Sequence, residues 1–174
     1  MDKVRIGVIG CGIMAHGHMK NMQEMDGVDF VAAADPSEET RKQVEEKFGV
    51  TCYEDNEALL DSGTIDAVII ATPHWFHPPL TKAAFERGLH VLTEKPVAVT
   101  AKDAQEINDV AAKYPDLYYA GMFQQRCNPK YKMVKQLVDD GEVGELIRTS
   151  WIITDWYRTQ FYYNMGGWRA SWKG

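Results

Sequence analysis

The sequence has no run of about 18 apolar residues, so no segment of it reads as a membrane-spanning helix and no membrane association is expected. Its start, Met1-Asp2-Lys3-Val4-Arg5, leads into a short strand-like run that stops at glycine, without the apolar stretch and small-residue cleavage site of a signal peptide. Positive charge is in deficit: 19 Lys and Arg face 25 Asp and Glu, a formal net charge of −6, and no basic run is present. Binding to a phosphate backbone needs clustered cations, so this balance argues against nucleic acid as a main partner. Cysteine is scarce. Cys11, Cys52 and Cys127 are widely spaced, odd in number and form no CxxC pair, which fits reduced thiols in a cytoplasmic protein rather than a disulfide framework or structural zinc. Internal repeats and low-complexity tracts are missing too.

What remains is a soluble globular composition, 45% hydrophobic and 25% charged, on a chain of 174 residues, enough for one ordinary domain with a little left over. Short β-branched runs alternate with longer amphipathic segments, the pattern of repeated βαβ units. Strands are predicted at residues 4–9, 30–34, 50–53, 67–71, 89–92 and 117–121. The run Ala67-Val68-Ile69-Ile70-Ala71 is nearly all apolar and reads as a central strand buried on both faces. Helices are predicted over residues 13–25, from Pro36-Ser37 to a left-handed cap at Gly49, over 80–87 after Pro78-Pro79, and from the capping box at Thr100 to about Tyr114. Six strands in this order predict an α/β fold, a doubly wound parallel sheet of the Rossmann type. After Asn128-Pro129 a further helix runs to about Asp140, and residues 146–153 read as the first strand of a second α+β unit. The boundary is placed between residues 122 and 123. The last 24 residues hold eight aromatics, and an unpaired edge strand beside such a tail invites self-association or disorder; a homo-oligomer is expected.

Four features carry chemistry. Gly10-Cys11-Gly12-Ile13-Met14-Ala15 is a GxGxxA between a strand and a helix. Gly10 allows the tight turn, Gly12 lets the backbone approach a pyrophosphate, and Ile13 and Met14 open the helix whose N-terminus holds the phosphate charge. A plain strand–helix connection is the alternative, and the context disfavours it. Asp35 closes the second strand, where a carboxylate accepts both ribose hydroxyls of an adenosine and favours NAD; Arg41 folding back beside it leaves NADP as the alternative cofactor. A helix-initiating Asp-Pro turn is the structural reading of the same residue. Ala71-Thr72-Pro73-His74-Trp75-Phe76-His77 follows the central strand and so lines the ligand cleft. His74 and His77 lack a third ligand at a recognised spacing, so no metal is expected. His16 and His18 are expected on a helix surface, solvated or packed, rather than as ligands. Glu94-Lys95-Pro96 follows the fifth strand, again at the cleft edge, where a lysine near a carboxylate can take part in proton transfer. A surface salt pair before a turn is the plainer reading of that tripeptide.

With these features in this order, the chain resembles the Gfo/Idh/MocA oxidoreductases along its whole length. The resemblance implies a two-domain enzyme that moves hydride between a sugar, polyol or inositol-like carbon and a nicotinamide cofactor. By position, Lys95 corresponds to the family's active-site lysine, in contact with both cofactor and substrate, with Glu94 beside it along the cofactor. Thr72, Pro73 and His77 correspond to the loop beside the nicotinamide ribose, and Gln124 and Arg126 to a segment near cofactor or substrate. Trp168 and Arg169 correspond to a stretch that reaches back toward the nicotinamide. The family continues with an Asp-and-His pair on a helix and a large, mostly antiparallel sheet, none of which lies within these residues. The expectation is therefore the cofactor-binding part of such an enzyme, with only the beginning of the second domain. The competing expectation is a truncated, non-catalytic dinucleotide-binding module.

Overall fold

Six strands form where short β-branched and alanine-rich runs meet turn residues: β1 (Val4–Ile9), β2 (Val28–Ala34), β3 (Thr51–Tyr53), β4 (Ala67–Ile70), β5 (His90–Thr93) and β6 (Tyr119–Gly121). The computed structural model describes residues 3–164 and residue 171. All five pairings are parallel, in the order β3-β2-β1-β4-β5-β6. The chain thus winds outward from β1 in one direction, then returns to β1 and winds outward in the other. That reversal makes the doubly wound sheet and leaves a crevice at the carboxyl ends of β1 and β4.

Helices cover both faces. Consecutive residues of a strand point to opposite sides, so Val8, Ala33 and Ile69 join one core cluster while Ile9, Ala32, Ala34, Val68 and Ile70 join the other. Helices α1 (Ile13–Gln23) and α2 (Glu38–Phe48) pack on the first through Ala15, Met19, Met22 and Val44. Helices α3 (Asn56–Leu60), α4 (His77–Glu86) and α5 (Ala101–Ala111) pack on the second, with Leu59, Leu80, Ala84 and Phe85 buried in it. Double coverage explains why β4 reads as an unbroken apolar run.

Local chemistry sets most boundaries. Ser37 Oγ accepts from the Thr40 amide to start α2, Gly49 ends it at φ 69°, and Thr100 Oγ1 accepts from the Asp103 amide to start α5. Several expectations shift. Helix α1 stops at Gln23 rather than Met25, and β2 starts two residues earlier than expected, at Val28, because Val28 pairs with Val4. Helix α4 starts at His77, so its prolines lie inside the first turn, where a missing N–H leaves no intrahelical bond unmade. Helix α5 ends at Ala111. The short helix α3, capped by Asp55 Oδ1 accepting from the Ala58 amide at 2.7 Å, has no counterpart in the sequence reading. Five residues are too few to show a helical period.

The chain divides into two units, Met1–Met122 and Phe123–Gly174. In the second, Asn128 Oδ1 accepts from the Lys130 amide and starts α6 (Pro129–Asp139), and α7 spans Gln160–Asn164. Neither helix has a buried residue. The strand expected over residues 146–153 is not formed: no strand among the described residues lies beside it, and a strand without a ladder leaves its amides and carbonyls unpaired. Ile147 stands 94% exposed. Among the described residues no helix is long and apolar enough to cross a membrane.

Candidate functional site

Four loops meet at the carboxyl edge of the sheet in the first unit. After β1 the chain turns at Gly10, with φ 84°, and its amide donates to Ala34 O at 2.9 Å, which ties the turn to β2. A Cβ at Gly10 would stand 2.9 Å from Thr72 Cγ2 and 3.0 Å from the Ala71 carbonyl, so the loops after β1 and β4 touch here. Gly12 differs. Its backbone is extended, φ −74° and ψ −173°, and a Cβ there would meet nothing within 4 Å. It stands at the N-cap of α1, which has no side-chain cap and no acid in its first turn, whereas α2, α3 and α5 are capped by Ser37, Asp55 and Thr100. Gly12, Ile13 and Met14 are exposed between buried Cys11 and Ala15. An open, uncapped helix N-terminus with room before it suits an anion.

Asp35 holds the far side of this turn. Its Oδ2 accepts from the Cys11 amide and its Oδ1 from the Ser37 amide, each at 2.9 Å. Two N–H groups leave lone pairs on both oxygens, enough to accept from a pair of hydroxyls. Arg41 does fold back, and its Nη1 donates to the Asp35 and Pro36 carbonyls at 2.8 and 3.0 Å. Beyond β4, Thr72 Oγ1 is buried without a hydrogen-bond partner, beside the point where Gly10 makes its closest approach. An orphaned hydroxyl, a glycine that admits no side chain and an open helix start together fit a dinucleotide laid across the β1–β4 crevice.

The tripeptide after β5 is organised from within. Glu94 is 5% exposed; its Oε1 lies 2.8 Å from His18 Nε2, and its Oε2 accepts from the Lys95 amide at 3.2 Å. The Lys95 residue is itself exposed. His77 is 0% exposed, with Nδ1 2.7 Å from Pro96 O and Nε2 2.8 Å from Thr72 O. The two residues expected along the cofactor, Glu94 and His77, thus each make contacts within the protein, and Glu94, like Asp35, keeps lone pairs on both oxygens. His18, expected either solvated or packed, is packed and pairs with Glu94. Helical spacing accounts for it: His18 falls on the stripe Ala15, Met19 and Met22, three and four residues from buried neighbours.

Gln124 and Arg126 lie in a helical turn, Gln124–Cys127, of the second unit; both are exposed, and the Arg126 guanidinium sits 5.8 Å from the Phe123 ring centroid. Trp168 and Arg169 lie outside the described residues. No group of three or more His, Cys, Asp or Glu among the described residues could hold a metal ion.

Burial, with the Asp35 charge added, pushes the Cys11 thiol up to about 12, and burial followed by the Glu45 charge pushes Cys52 up to about 11; Cys127 is exposed. Thiolate is the reactive form. In native protein at neutral pH a disulfide reagent is therefore expected to titrate one thiol, Cys127, promptly, and all three only after unfolding. Prompt titration of three in the native state would contradict the burial.

The sequence pattern of the family described as "Oxidoreductase family, NAD-binding Rossmann fold" matches residues 4–122. The rhizopine catabolism protein MocA of Rhizobium meliloti is 32% identical over 150 residues, 86% of this chain and 47% of that protein. Inositol 2-dehydrogenase of Corynebacterium glutamicum is 30% identical over 146 residues, 83% of this chain and 43% of that protein. Scyllo-inositol dehydrogenase from Lactobacillus casei, solved with NAD(H) and scyllo-inositol, superposes with a TM-score of 0.80 at 27% identity over 83% of this chain and 43% of that one. The WlbA dehydrogenase from Bordetella pertussis, solved with NADH and UDP-GlcNAcA, gives 0.88 at 26% identity over 98% and 52%. The chain spans less than half the length of these two curated relatives.

Proposed function

Because this chain belongs to the Gfo/Idh/MocA oxidoreductase family, whose matched domain is an NAD-binding Rossmann fold, we propose that it is the cofactor-binding part of a dehydrogenase acting on a CH–OH group of a sugar, polyol or inositol. The observation that carries this reading is the open turn at Gly10 and Gly12 facing Asp35 at the switch of strand order. When bound, NAD supplies the hydride acceptor. The chain's own residues do the rest. Amides at Gly12, Ile13 and Met14 hold the pyrophosphate, and Asp35 accepts the ribose hydroxyls and repels a 2′-phosphate. Thr72 and Pro73, with His77 and Glu94 beside them, line the nicotinamide side. The exposed Lys95 ammonium holds the substrate hydroxyl or takes its proton.

Residues 123–174 then form the link into a substrate and oligomerisation domain. Gln124, Arg126, Trp168 and Arg169 are the members of that segment assigned to cofactor or substrate contact, with Arg126 on the substrate. A homo-oligomer in the cytoplasm, with no nucleic-acid partner, completes the reading. The exposed side chains of Ile147, Ile152 and Trp156 support burial against further chain or a second copy.

Titration of the chain with NADH and NADPH, followed by fluorescence, tests the cofactor assignment, and a panel of inositols and aldoses with NAD tests turnover. Asp35→Ala is expected to lower the NADH-over-NADPH preference roughly tenfold or more, since a charge-assisted hydrogen bond contributes about 1.5–3 kcal/mol. The ratio is insensitive to general damage from losing the Cys11 and Ser37 contacts. No NADH binding by the parent chain, or an unchanged ratio in Asp35→Ala, would overturn the reading.

A further inference from the structure

We infer that Lys95 is preset by a two-histidine clamp, His18 holding Glu94 on one side of it and His77 holding Pro96 on the other. The need for a clamp follows from where the strand ends. Sheet pairing along β5 stops as the Glu94 amide donates to Ile70 O at 2.8 Å and Thr93 O accepts from the Met122 amide at 2.8 Å. From Lys95 to the cap of α5 the backbone has no regular structure. An exposed lysine on such a stretch is placed by its neighbours' contacts or not at all.

Both neighbours are tied down, from opposite faces of the sheet. His18 comes from α1, which packs with Met19 and Met22 on one core cluster; His77 opens α4, which packs with Leu80, Ala84 and Phe85 on the other. On the first arm, His18 Nε2 meets Glu94 Oε1 at 2.8 Å, and Glu94 Oε2 accepts from the Lys95 amide at 3.2 Å. The His18 and Glu94 side chains are 15% and 7% exposed. A carboxylate this deep is costly without a partner, so His18 fixes its direction, and with it the Lys95 amide. On the second arm, His77 spans 2.7 Å to Pro96 O and 2.8 Å to Thr72 O, joining the loop after β5 to the loop that touches Gly10. The clamp also crosses the crevice: the helix that receives the pyrophosphate and the loop that carries Lys95 share the His18–Glu94 contact. His18 and His77 are therefore positioning residues. Their value to catalysis rests on the reading of Lys95 given above, while the clamp itself is a property of the unliganded chain.

The experiment separates the two. Hydrogen exchange at the Lys95 amide is measured in the free chain for the parent, His18→Leu and His18→Gln, with NADH titration of each. His18 is the arm to vary, because His77 is fully buried and its replacement threatens the fold. Loss of the contact in His18→Leu is expected to speed exchange at Lys95 about tenfold or more, confined to residues around 94–97. In His18→Gln an amide can still donate to Glu94, and exchange is expected to return to within about threefold of the parent. NADH affinity follows the same order. Unchanged exchange in His18→Leu, acceleration spread evenly through the first unit, or no rescue by glutamine would each overturn the clamp. Failure of the parent to bind NADH would overturn the cofactor reading instead and leave the exchange result to decide the clamp.

Discussion

Gly12→Asp is expected to leave the chain as stable as the parent or slightly more so, while weakening NADH binding roughly hundredfold or more, near 3 kcal/mol. The two effects part because Gly12 does two separable things. As the N-cap of α1 it sits in extended backbone that any residue adopts, with nothing within 4 Å of a Cβ. Aspartate is a preferred N-cap, its oxygen accepts from the first-turn amides, and its charge suits the positive end of the helix; against glycine the gain is a few tenths of a kcal/mol. Those amides and that space are what a pyrophosphate requires. A fixed carboxylate there occupies the site and repels the ligand. Thermal unfolding and NADH titration of one sample check both halves. A variant that melts several degrees lower would contradict the open N-cap position at Gly12, and one that binds NADH like the parent would show that the N-terminus of α1 is not the phosphate site.

Gly10→Ala, two residues earlier in the same turn, is expected to do the opposite. At φ 84° a side chain is strained wherever it sits, and this Cβ would also stand 2.9 Å from Thr72 Cγ2 and 3.0 Å from the Ala71 carbonyl. The left-handed backbone costs about 1–2 kcal/mol and the overpacking a similar amount, so the sum is roughly 3 kcal/mol. For a chain of this size that lowers the melting temperature by about 6–12 °C. NADH binding falls as well, because relief of the clash must push apart the loops after β1 and β4. A melting temperature within about 2 °C of the parent would mean that the two loops are not in contact. The pair of substitutions thus separates a glycine that the fold requires from one that the ligand requires.

Much of this was legible in the sequence. The order of the six strands and the main helices, the capping box at Thr100 and the left-handed end at Gly49 follow from interactions within a few residues, and each appears in the structure. The short helix α3 escaped notice because one turn carries no period. The run 146–153 has strand composition and no strand, because composition cannot supply a neighbouring ladder.

The candidate site divides along the same line. That Gly10, Gly12, Asp35 and Lys95 stand just after strands could be read from the sequence, since each follows a strand-like run. The contacts of Glu94, His77 and His18 could not. Their partners lie 76 residues apart for His18 and Glu94, and 19 for His77 and Pro96. Only the lateral order of the strands brings those loops together. The sequence by itself determined that a glycine turn, an acid and a lysine stand just after β1, β2 and β5. The tertiary structure decided which polar side chains pair across those loops, because burial and long-range pairing, unlike backbone conformation, are properties of the whole sheet and the helices packed on it.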